Sequence, residues 1–282
     1  MNVRTIDLAS PTAGQEFATA LHESGFAILR NHTIDSVLLG QMYDEWAAFF
    51  ADDDKFNYHV KFSEESNAGR AGYFPQSVSE TAVGHSTRDL KEFFQVLSIG
   101  TTPPVLEAIV AAYLDAGLAI GLQLLQWLQE FSPAGVTDTL SEPLPDMLCR
   151  EMSLLRILHY PPLDGSESGD AMRAAPHEDI NLLTLLPATA QPGLQLRTQD
   201  GEWMNVFGNS GELIINSGDM LQEATAGYYP STTHRVLNPP HANANVSRIS
   251  IPYFLGARTD VRLSDRYTSQ SYLDERLSII HN

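Results

Sequence analysis

The second half of the chain, from about Glu151 onward, consists of short apolar or alternating runs separated by turn residues. Strands of this length and spacing are typical of antiparallel sandwiches and barrels. The predicted strands run from Ser153 to Tyr160, Asn181 to Leu186, Leu194 to Arg197, Trp203 to Val206, Glu212 to Ile215, Thr232 to Leu237 and Arg248 to Leu255. About six to eight such strands predict a jelly roll, which is a double-stranded β-helix of two facing sheets.

Strand and helix patterns alternate near the start of the chain. Val3 to Leu8 predicts a short strand, and Ser10-Pro11-Thr12 followed by Gln15 is a capping signature for a helix that ends at Gly25. Phe26 to Leu29 then predicts a short buried strand. The N-terminal region is therefore expected to be α/β.

Two amphipathic helices are predicted from large apolar residues that recur at intervals of three or four. The first begins at Asp35, and the second is one long scaffold helix. Their recurring residues are Leu38, Met42, Trp46 and Phe49, then Leu106, Ile109, Tyr113, Ile120, Leu124 and Trp127. Lys91 to Ile99 predicts a strand between them, and Ser271 to Ile280 predicts a helical tail.

The length of 282 residues suits one domain with a large core, since β folds of two sheets often reach this size. The expected class is mainly β with flanking helices around a jelly-roll core. We divide the chain into an α/β region (1–100), a scaffold helix and connection (101–150), the core (151–260) and a helical tail (261–282). The first region is expected to pack on the core rather than fold independently.

The charge of the chain limits its partners. A formal net charge of -18, without any run of basic residues, disfavours binding to nucleic acid and to anionic membrane surfaces. The apolar stretch from Pro104 to Phe131 contains Glu107, Asp115 and Glu130, which suits a buried helix better than a membrane span. No membrane association is expected, and the oligomeric state is left open.

The lone cysteine, Cys149, excludes an intrachain disulfide framework and favours a reducing compartment. The first ten residues have no apolar segment of the secretory type. A cytoplasmic location is therefore the expectation.

A first pair of candidate metal ligands lies at His177 and Asp179, two residues apart. In extended backbone both side chains project to the same side, so both can reach one ion. Two imidazoles and one carboxylate are the ligand set of many non-haem iron(II) oxygenases. The alternative is structural: His177 caps a turn and Asp179 accepts backbone hydrogen bonds.

A third ligand is required, and His234 is the preferred candidate. It lies in a β-like run from Ser231 to Val236 that could return to the same end of the sheet. His159, which ends a buried strand just before Tyr160, is the main competitor. The residues alone leave this choice open.

Arg248 and Ser250 share one face of a strictly alternating strand, with Ile249 and Ile251 on the other face. A buried guanidinium needs an anionic partner, and its planar fork suits bidentate binding of a carboxylate. A dicarboxylate such as 2-oxoglutarate fits this anchor. The alternative is a structural arginine that pairs with one of the 35 acidic residues.

The order of these motifs resembles the isopenicillin N synthase-like family of iron(II) and 2-oxoglutarate-dependent oxygenases. The matching landmarks are Gly25-Phe26, Asn31-His32, Tyr160-Pro161-Pro162, His177-Glu178-Asp179, Gly193-Leu194-Gln195, Gly201-Glu202-Trp203, Asn216-Ser217-Gly218-Asp219, His234-Arg235-Val236 and Arg248-Ile249-Ser250-Ile251-Pro252. The resemblance implies that His177, Asp179 and His234 hold the metal. It also implies that Tyr160 hydrogen-bonds the co-substrate beside Arg248 and Ser250. Plant members usually carry Asn where this chain has Leu158.

This resemblance implies a dioxygenase that uses Fe(II), 2-oxoglutarate and O2 to hydroxylate or desaturate a small molecule, releasing succinate and CO2. Isopenicillin N synthase itself retains such an Arg and Ser but uses no 2-oxoglutarate, so an oxidase of that type is one alternative. A jelly-roll binding protein that keeps a metal only for structure is another. A zinc hydrolase would give Arg248 and Ser250 no evident task.

Substrate contacts are expected from the first third of the chain, where the Gly- and Ser-rich stretch from Ser63 to Gly84 reads as a long loop. The candidate pocket residues are Arg70, Tyr73, Lys91, Phe93 and Gln95. Each also has an ordinary alternative, in the core for the aromatic residues and in surface ion pairs for the basic ones. If Arg70 or Lys91 faces the metal, an acidic small molecule is the expected substrate.

Overall fold

The computed structural model describes residues 3–59, 71–78, 89–97, 102–167, 171–189, 191–239 and 245–280. The strands in this part of the chain are β1 Arg4–Asp7, β2 Phe26–Arg30, β3 Gly72–Phe74, β4 Glu92–Val96, β5 Leu148–Tyr160, β6 Ala174–His177, β7 Leu183–Pro187, β8 Leu194–Arg197, β9 Trp203–Asn205, β10 Leu213–Ser217, β11 His234–Val236, β12 Arg248–Ser250 and β13 Tyr253–Ala257. The helices are α1 Ala13–Ser24, α2 Ser36–Ala51, α3 Glu107–Phe131, α4 Ala134–Thr137, α5 Leu144–Met147, α6 Asp219–Ala224 and α7 Ser269–Ile280, with short 3-10 helices at Asp53–Tyr58 and Gln76–Val78.

Two sheets form the core among the described residues. The larger has nine strands in the order β1-β2-β10-β7-β13-β5-β4-β3, with β12 also paired to β5. The smaller has four strands in the order β6-β11-β8-β9. The predicted fold class is confirmed, since the chain forms a jelly-roll core with flanking helices. The N-terminal strands extend both edges of the larger sheet, with β2 beside β10 and β4 beside β5.

The predicted strands match the structure with three differences. The stretch from Ser63 to Gly84, predicted as a long loop, contains the short strand β3, Gly72–Phe74. The run from Arg248 to Leu255 is divided into β12 and β13, because Pro252 between them has no N–H to donate to a ladder. The strand β6 was not among the predicted strands, since its sequence Ala-Ala-Pro-His has little of the β-branched or aromatic character that marks strands.

The helix α1 ends as predicted but begins differently. Gly25 adopts a left-handed conformation with φ +68°, and its N–H donates to the Leu21 carbonyl at 2.8 Å. The side chain of Thr12 makes no capping hydrogen bond and instead donates to the Glu16 carboxylate at 2.5 Å. A side chain at position 25 would lie 2.4 Å from the Pro230 carbonyl, so the close approach of two chain segments also requires glycine.

The helix α3 packs directly on the larger sheet. Cβ atoms added at Gly117 and Gly121 would lie 2.7 Å from the Tyr253 ring and 2.2 Å from Leu255, so these glycines allow the helix to approach β13 closely. Among the described residues, α3 is the one helix long and apolar enough to cross a bilayer by length and composition, and 44% of its most apolar window is buried in the protein. Its contacts are those of a scaffold helix.

A separate apolar cluster joins the two sheets. It combines residues of β2 and β10 from the larger sheet with residues of β8 from the smaller one. Its buried members are Phe26, Ile28, Ala188, Leu194, Leu196, Val206 and Ile214. The two sheets therefore face each other across a space in which side chains from both can meet.

Candidate metal and co-substrate site

Three potential metal ligands converge between the sheets. His177 ends β6, His234 begins β11, and the two residues are paired in register, while Asp179 follows β6 by two residues. One potential ligand atom from each of the three side chains lies within 4.8 Å of the other two. The Nε2 atoms of His177 and His234 lie 3.9 and 3.8 Å from Asp179 Oδ1. This donor set fits iron(II) on one face of an octahedron.

Both imidazoles are oriented by the backbone. The Nδ1 atom of His177 lies 2.8 Å from the Ala175 carbonyl, and that of His234 lies 3.1 Å from the Thr232 carbonyl. Because a carbonyl can only accept, Nδ1 carries the proton in each ring and Nε2 keeps its lone pair. Both rings therefore present Nε2 as a ligand atom.

The two oxygens of Asp179 have different environments. Oδ2 accepts a hydrogen bond from Thr184 Oγ1 at 2.6 Å and another from Asn216 Nδ2 at 2.8 Å. These donors lie on β7 and β10 of the larger sheet. Oδ1 faces the two imidazoles, so the carboxylate is held with one oxygen directed at the position a metal would occupy.

The backbone around Asp179 is fixed by the segment that follows β10. The Asp179 carbonyl accepts from Asp219 N at 2.7 Å, and the Asn181 carbonyl accepts from Met220 N at 3.0 Å. A Cβ atom at Gly218 would lie 2.1 Å from Asn181 Oδ1 and 2.8 Å from the Asp179 carbonyl. Glycine at 218 therefore lets the two segments lie in contact.

Burial and mutual charge set the protonation of the ligands. Burial, with a smaller contribution from the nearby His234, lowers the pKa of His177 to about 4. For Asp179 burial acts in the opposite direction, but His234, His177 and the two hydrogen bonds outweigh it and lower its pKa. Near neutral pH, His177 and Asp179 therefore have the deprotonated form that metal binding requires.

His159, the competing ligand candidate, is engaged elsewhere. Its Nδ1 atom lies 2.7 Å from Glu92 Oε1 and its Nε2 atom lies 2.9 Å from Ser247 Oγ, while its ring stacks on Phe50. Both ring nitrogens thus have partners away from the cluster. The geometry favours His234 as the third ligand.

The anchor residues also meet inside the protein. Arg248 is paired in register with Tyr160 and Ser250 with Leu158, and Arg248, Ser250 and Tyr160 are all buried. The Nη1 atom of Arg248 donates to the Pro192 carbonyl at 3.3 Å, and its Nε has no partner among the described residues. Within the described residues no carboxylate pairs with it. A buried arginine with unused donors fits the carboxylate of 2-oxoglutarate.

One face of β4 lines the same region. Lys91, Phe93 and Gln95 alternate on this face, and Phe93 packs with Leu158 and Tyr160 in a small buried cluster. Gln95 accepts hydrogen bonds from the Arg156 guanidinium, and Lys91 donates to Asp89 at 2.7 Å. These three substrate candidates therefore lie on the side of the anchor residues.

Tyr73 and Arg70 are not brought to this region by the described structure. Tyr73 is 1% exposed, lies opposite Phe94 on the other face of the sheet, and donates its hydroxyl to Glu92. The ring of Tyr73 also contacts the rings of Phe49, Phe50 and Phe56. Arg70 and most of the stretch from Ser63 to Gly84 lie outside the described residues.

Sequence reasoning missed Thr184 and Asn216, which orient Asp179. Asn216 lies within one of the family landmarks, Asn216-Ser217-Gly218-Asp219, and that landmark was the available signal. Thr184 has no distinguishing local pattern, because it is one polar residue within an apolar strand.

Comparisons with known proteins agree with this geometry. A family model described as the 2OG-Fe(II) oxygenase superfamily matches residues 151–257. A second, described as the N-terminal region of the non-haem dioxygenase in morphine synthesis, matches residues 3–108. The first match includes all three potential metal ligands and the anchor residues, and the second includes β4.

Individual relatives extend the similarity over nearly the whole chain. Gibberellin 2-beta-dioxygenase 3 from Arabidopsis thaliana is 26% identical over 265 residues, which are 90% of this chain and 75% of that protein. Isopenicillin N synthase from Lysobacter lactamgenus is 25% identical over 268 residues, which are 83% and 76% of the two chains. A crystal structure of a Shewanella oneidensis protein assigned as an oxygenase matches with a TM-score of 0.87 and 43% identity, covering 99% of this chain and 98% of that one.

Proposed function

The chain belongs to the 2-oxoglutarate and iron(II)-dependent oxygenase superfamily, and on this premise we propose that it hydroxylates or desaturates a small molecule with release of succinate and CO2. The enzyme class and its cofactors, Fe(II) and 2-oxoglutarate with O2, follow from the family. The assignment of individual residues and the outcome of the reaction are the proposal.

One observation supports the proposal most strongly. The chain combines a three-ligand cluster with a buried guanidinium, that of Arg248, which has no carboxylate partner among the described residues and reaches the Pro192 carbonyl beside the smaller sheet. A purely structural metal site would be satisfied by the cluster alone. It would not explain why Arg248 is buried without a carboxylate partner among the described residues. Burial of a guanidinium costs desolvation free energy, which an anionic ligand would offset.

One set of residues is proposed to bind the metal and another to bind the co-substrate. His177, Asp179 and His234 hold the iron, while Arg248, Ser250 and Tyr160 bind the far carboxylate of 2-oxoglutarate. When bound, the iron and co-substrate supply the oxidising chemistry at a substrate C–H bond. The protein fixes both groups from opposite sheets, and Phe26 of the apolar cluster packs edge-on against the His234 ring.

Lys91, Phe93 and Gln95 are proposed to form part of the pocket wall, because they lie on the side of the anchor residues. Lys91 is held by Asp89 on this face, so the wall carries both charge and an aromatic surface. A small molecule with polar and apolar parts suits such a wall.

A second candidate function is iron-dependent oxidation without 2-oxoglutarate. The similarity to isopenicillin N synthase favours it. The unpaired guanidinium of Arg248 favours the first candidate, because it needs an anion that the described residues do not supply.

The proposal is tested by following succinate. The protein is loaded anaerobically with Fe(II), then supplied with 2-oxoglutarate, O2 and a panel of small molecules. We expect succinate formation that requires both Fe(II) and 2-oxoglutarate. Normal iron binding without succinate across the panel would contradict the proposal and favour the oxidase.

The ligand assignment has its own control in the same experiment. His177→Ala and Asp179→Ala are expected to lose bound iron and succinate formation together. His22→Ala, at an exposed histidine of α1, is expected to retain both. Iron binding that is unchanged in His177→Ala and Asp179→Ala would show that the three-ligand cluster is not the metal site.

A further inference from the structure

A second arginine is buried beside the co-substrate anchor. Arg173, directly before β6, is 2% exposed and is among the largest fully buried side chains. Its Nη2 donates to the Val246 carbonyl at 3.0 Å, and its Nε has no hydrogen-bond partner in the part of the chain that the structure describes. Arg173 lies in a bend directly before β6, and its position relative to the anchor is given by its contact with Tyr160.

Arg173 and Arg248 approach the same aromatic ring. The guanidinium carbon of Arg173 lies 5.6 Å from the centre of the Tyr160 ring, and that of Arg248 lies 6.0 Å from it. Arg173 lies directly before β6 of the smaller sheet, and Arg248 begins β12 of the larger one. Two guanidinium groups, from different parts of the chain, therefore lie near the Tyr160 ring.

The acidic group in this region is already engaged. Asp89 accepts from Lys91 Nζ through Oδ2 at 2.7 Å and from the Ala175 backbone N–H through Oδ1 at 3.0 Å. Lys91 and Asp89 thus compensate each other. Within the described residues, no carboxylate forms an ion pair with Arg173 or Arg248, so two positive charges remain without compensation.

These two charges also repel each other. Burial lowers the pKa of Arg173, and the neighbouring Arg248 lowers it further. An arginine still remains protonated at neutral pH, because its intrinsic pKa is so high. A second buried cation at this place therefore destabilises the ligand-free protein unless an anion binds there.

We propose that Arg173 is a second binding residue for 2-oxoglutarate, which acts with Arg248 from the opposite sheet on the far carboxylate of the co-substrate. This inference rests on the proposed function and goes beyond it, because it adds to the anchor a residue that directly precedes the metal-bearing strand β6. The Nε–H groups of the two arginines, which have no partner among the described residues, are the donors, and both guanidinium groups lie near the Tyr160 ring. A mainly structural Arg173, tied only to Val246, would not affect co-substrate affinity.

The test measures binding rather than turnover. The Fe(II)-loaded protein is titrated anaerobically with 2-oxoglutarate by calorimetry and by the charge-transfer absorption of the bound complex. We expect Arg173→Met to weaken 2-oxoglutarate binding about tenfold to a hundredfold, the range for losing hydrogen bonds to a charged group. Arg173→Lys, which keeps the charge but not the fork, is expected to fall between Arg173→Met and the wild type.

Thermal unfolding of the same proteins without ligand separates a binding role from a structural one. Because Arg173→Met removes an uncompensated charge, its ligand-free melting temperature should equal or exceed that of the wild type. Arg173→Gln provides a second neutral variant if the methionine side chain packs poorly. Arg197→Met, at an exposed arginine of β8, is the matched control and should leave affinity and stability unchanged.

The outcomes distinguish the inference from the proposed function. If the wild type binds 2-oxoglutarate, Arg248→Met weakens binding and both neutral variants of Arg173 bind like the wild type, the inference alone is overturned. A large loss of ligand-free stability in both neutral variants with unchanged affinity would also overturn it, in favour of a structural role. If the wild type binds no 2-oxoglutarate, the inference and the proposed function fail together.

Discussion

At the scale of single residues, the carboxylate of Asp179 shows how the site is prepared before any metal binds. One oxygen is held by Thr184 and Asn216, and the other faces the two imidazoles. A free carboxylate would rotate and lose conformational entropy on binding. Hydrogen bonds from neighbouring strands reduce that loss, and partners of this kind contribute substantially to metal affinity.

Replacement of Asn216 by alanine should therefore weaken metal binding without removing a ligand. We expect about a 10- to 100-fold lower affinity for Fe(II), the usual range for losing a hydrogen bond to a metal ligand. Anaerobic titration of the metal-free protein with Fe(II) measures this. Asn209→Ala, at an exposed asparagine, is the control, and equal affinities in both variants would contradict the orienting role.

At the scale of elements, one face of strand β4 lines the anchor region and its other face packs in the aromatic core. Lys91, Phe93 and Gln95 face the anchor region, while Glu92 and Phe94 face the aromatic core. Glu92 is the centre of a buried network, since its carboxylate contacts Lys55 Nζ at 3.1 Å and His159 Nδ1 at 2.7 Å and also accepts from Tyr73. This network joins β3, β4, β5 and the 3-10 helix that follows α2.

The Glu92 network should make stability depend on pH in acid. Burial alone would raise the pKa of Glu92, but hydrogen bonds from His159, Tyr73 and Lys55 outweigh it and lower the pKa below the ordinary value of 4.5. A lowered pKa contributes stability that is present above the unfolded value and is lost as pH falls through the folded value. Below pH 4.5 the unfolding free energy of Glu92→Gln should therefore fall less steeply than that of the wild type.

Denaturant unfolding at a series of pH values between about 3 and 6 measures this difference. Glu45→Gln, at an exposed glutamate of α2, is the control and should follow the wild type. Parallel curves for Glu92→Gln and the wild type would show that the network contributes nothing to acid stability.

At the scale of the whole molecule, the order of strands makes the core depend on the N-terminal region. The strand β10 of the core is paired on one side with β2, and β5 is paired with β4. Removal of the first hundred residues would leave both of these strands with unpaired backbone groups and would uncover α3. Exposed strand edges of this kind promote association between chains.

A fragment comprising residues 101–282 is therefore expected not to fold independently. We expect it to be aggregated or to lack a cooperative unfolding transition, while the full chain under the same conditions is soluble and unfolds cooperatively. Size-exclusion chromatography and circular dichroism during thermal unfolding measure both properties. A monomeric fragment with a cooperative transition would contradict this dependence and show that the core is an independent domain.

Local patterns were sufficient to predict most of the elements. The period of two in the strands and of 3.6 in the helices comes from the backbone of each segment, so β8 and the long helix α3 could be read from the sequence. The same period placed Arg248 and Ser250 on one face and His177 beside Asp179. The class of chemistry was evident for this reason, because the residues that define it are close together in the chain.

Contacts between distant segments could be decided only by the tertiary structure. Three features of the site region depend on residues from separate strands. Glu92 contacts His159, and Tyr73 and Phe93 lie on opposite faces of the sheet. Thr184 and Asn216 hold the carboxylate of Asp179. Arg173 has no local pattern that distinguishes it from a surface arginine, and its place beside Tyr160 depends on how the two sheets face each other. The sequence by itself thus determined the strands, the helices and the types of ligand residue. Packing of the two sheets decided which side chains meet, because the burial of a side chain and its distance from others depend on all segments of the chain together.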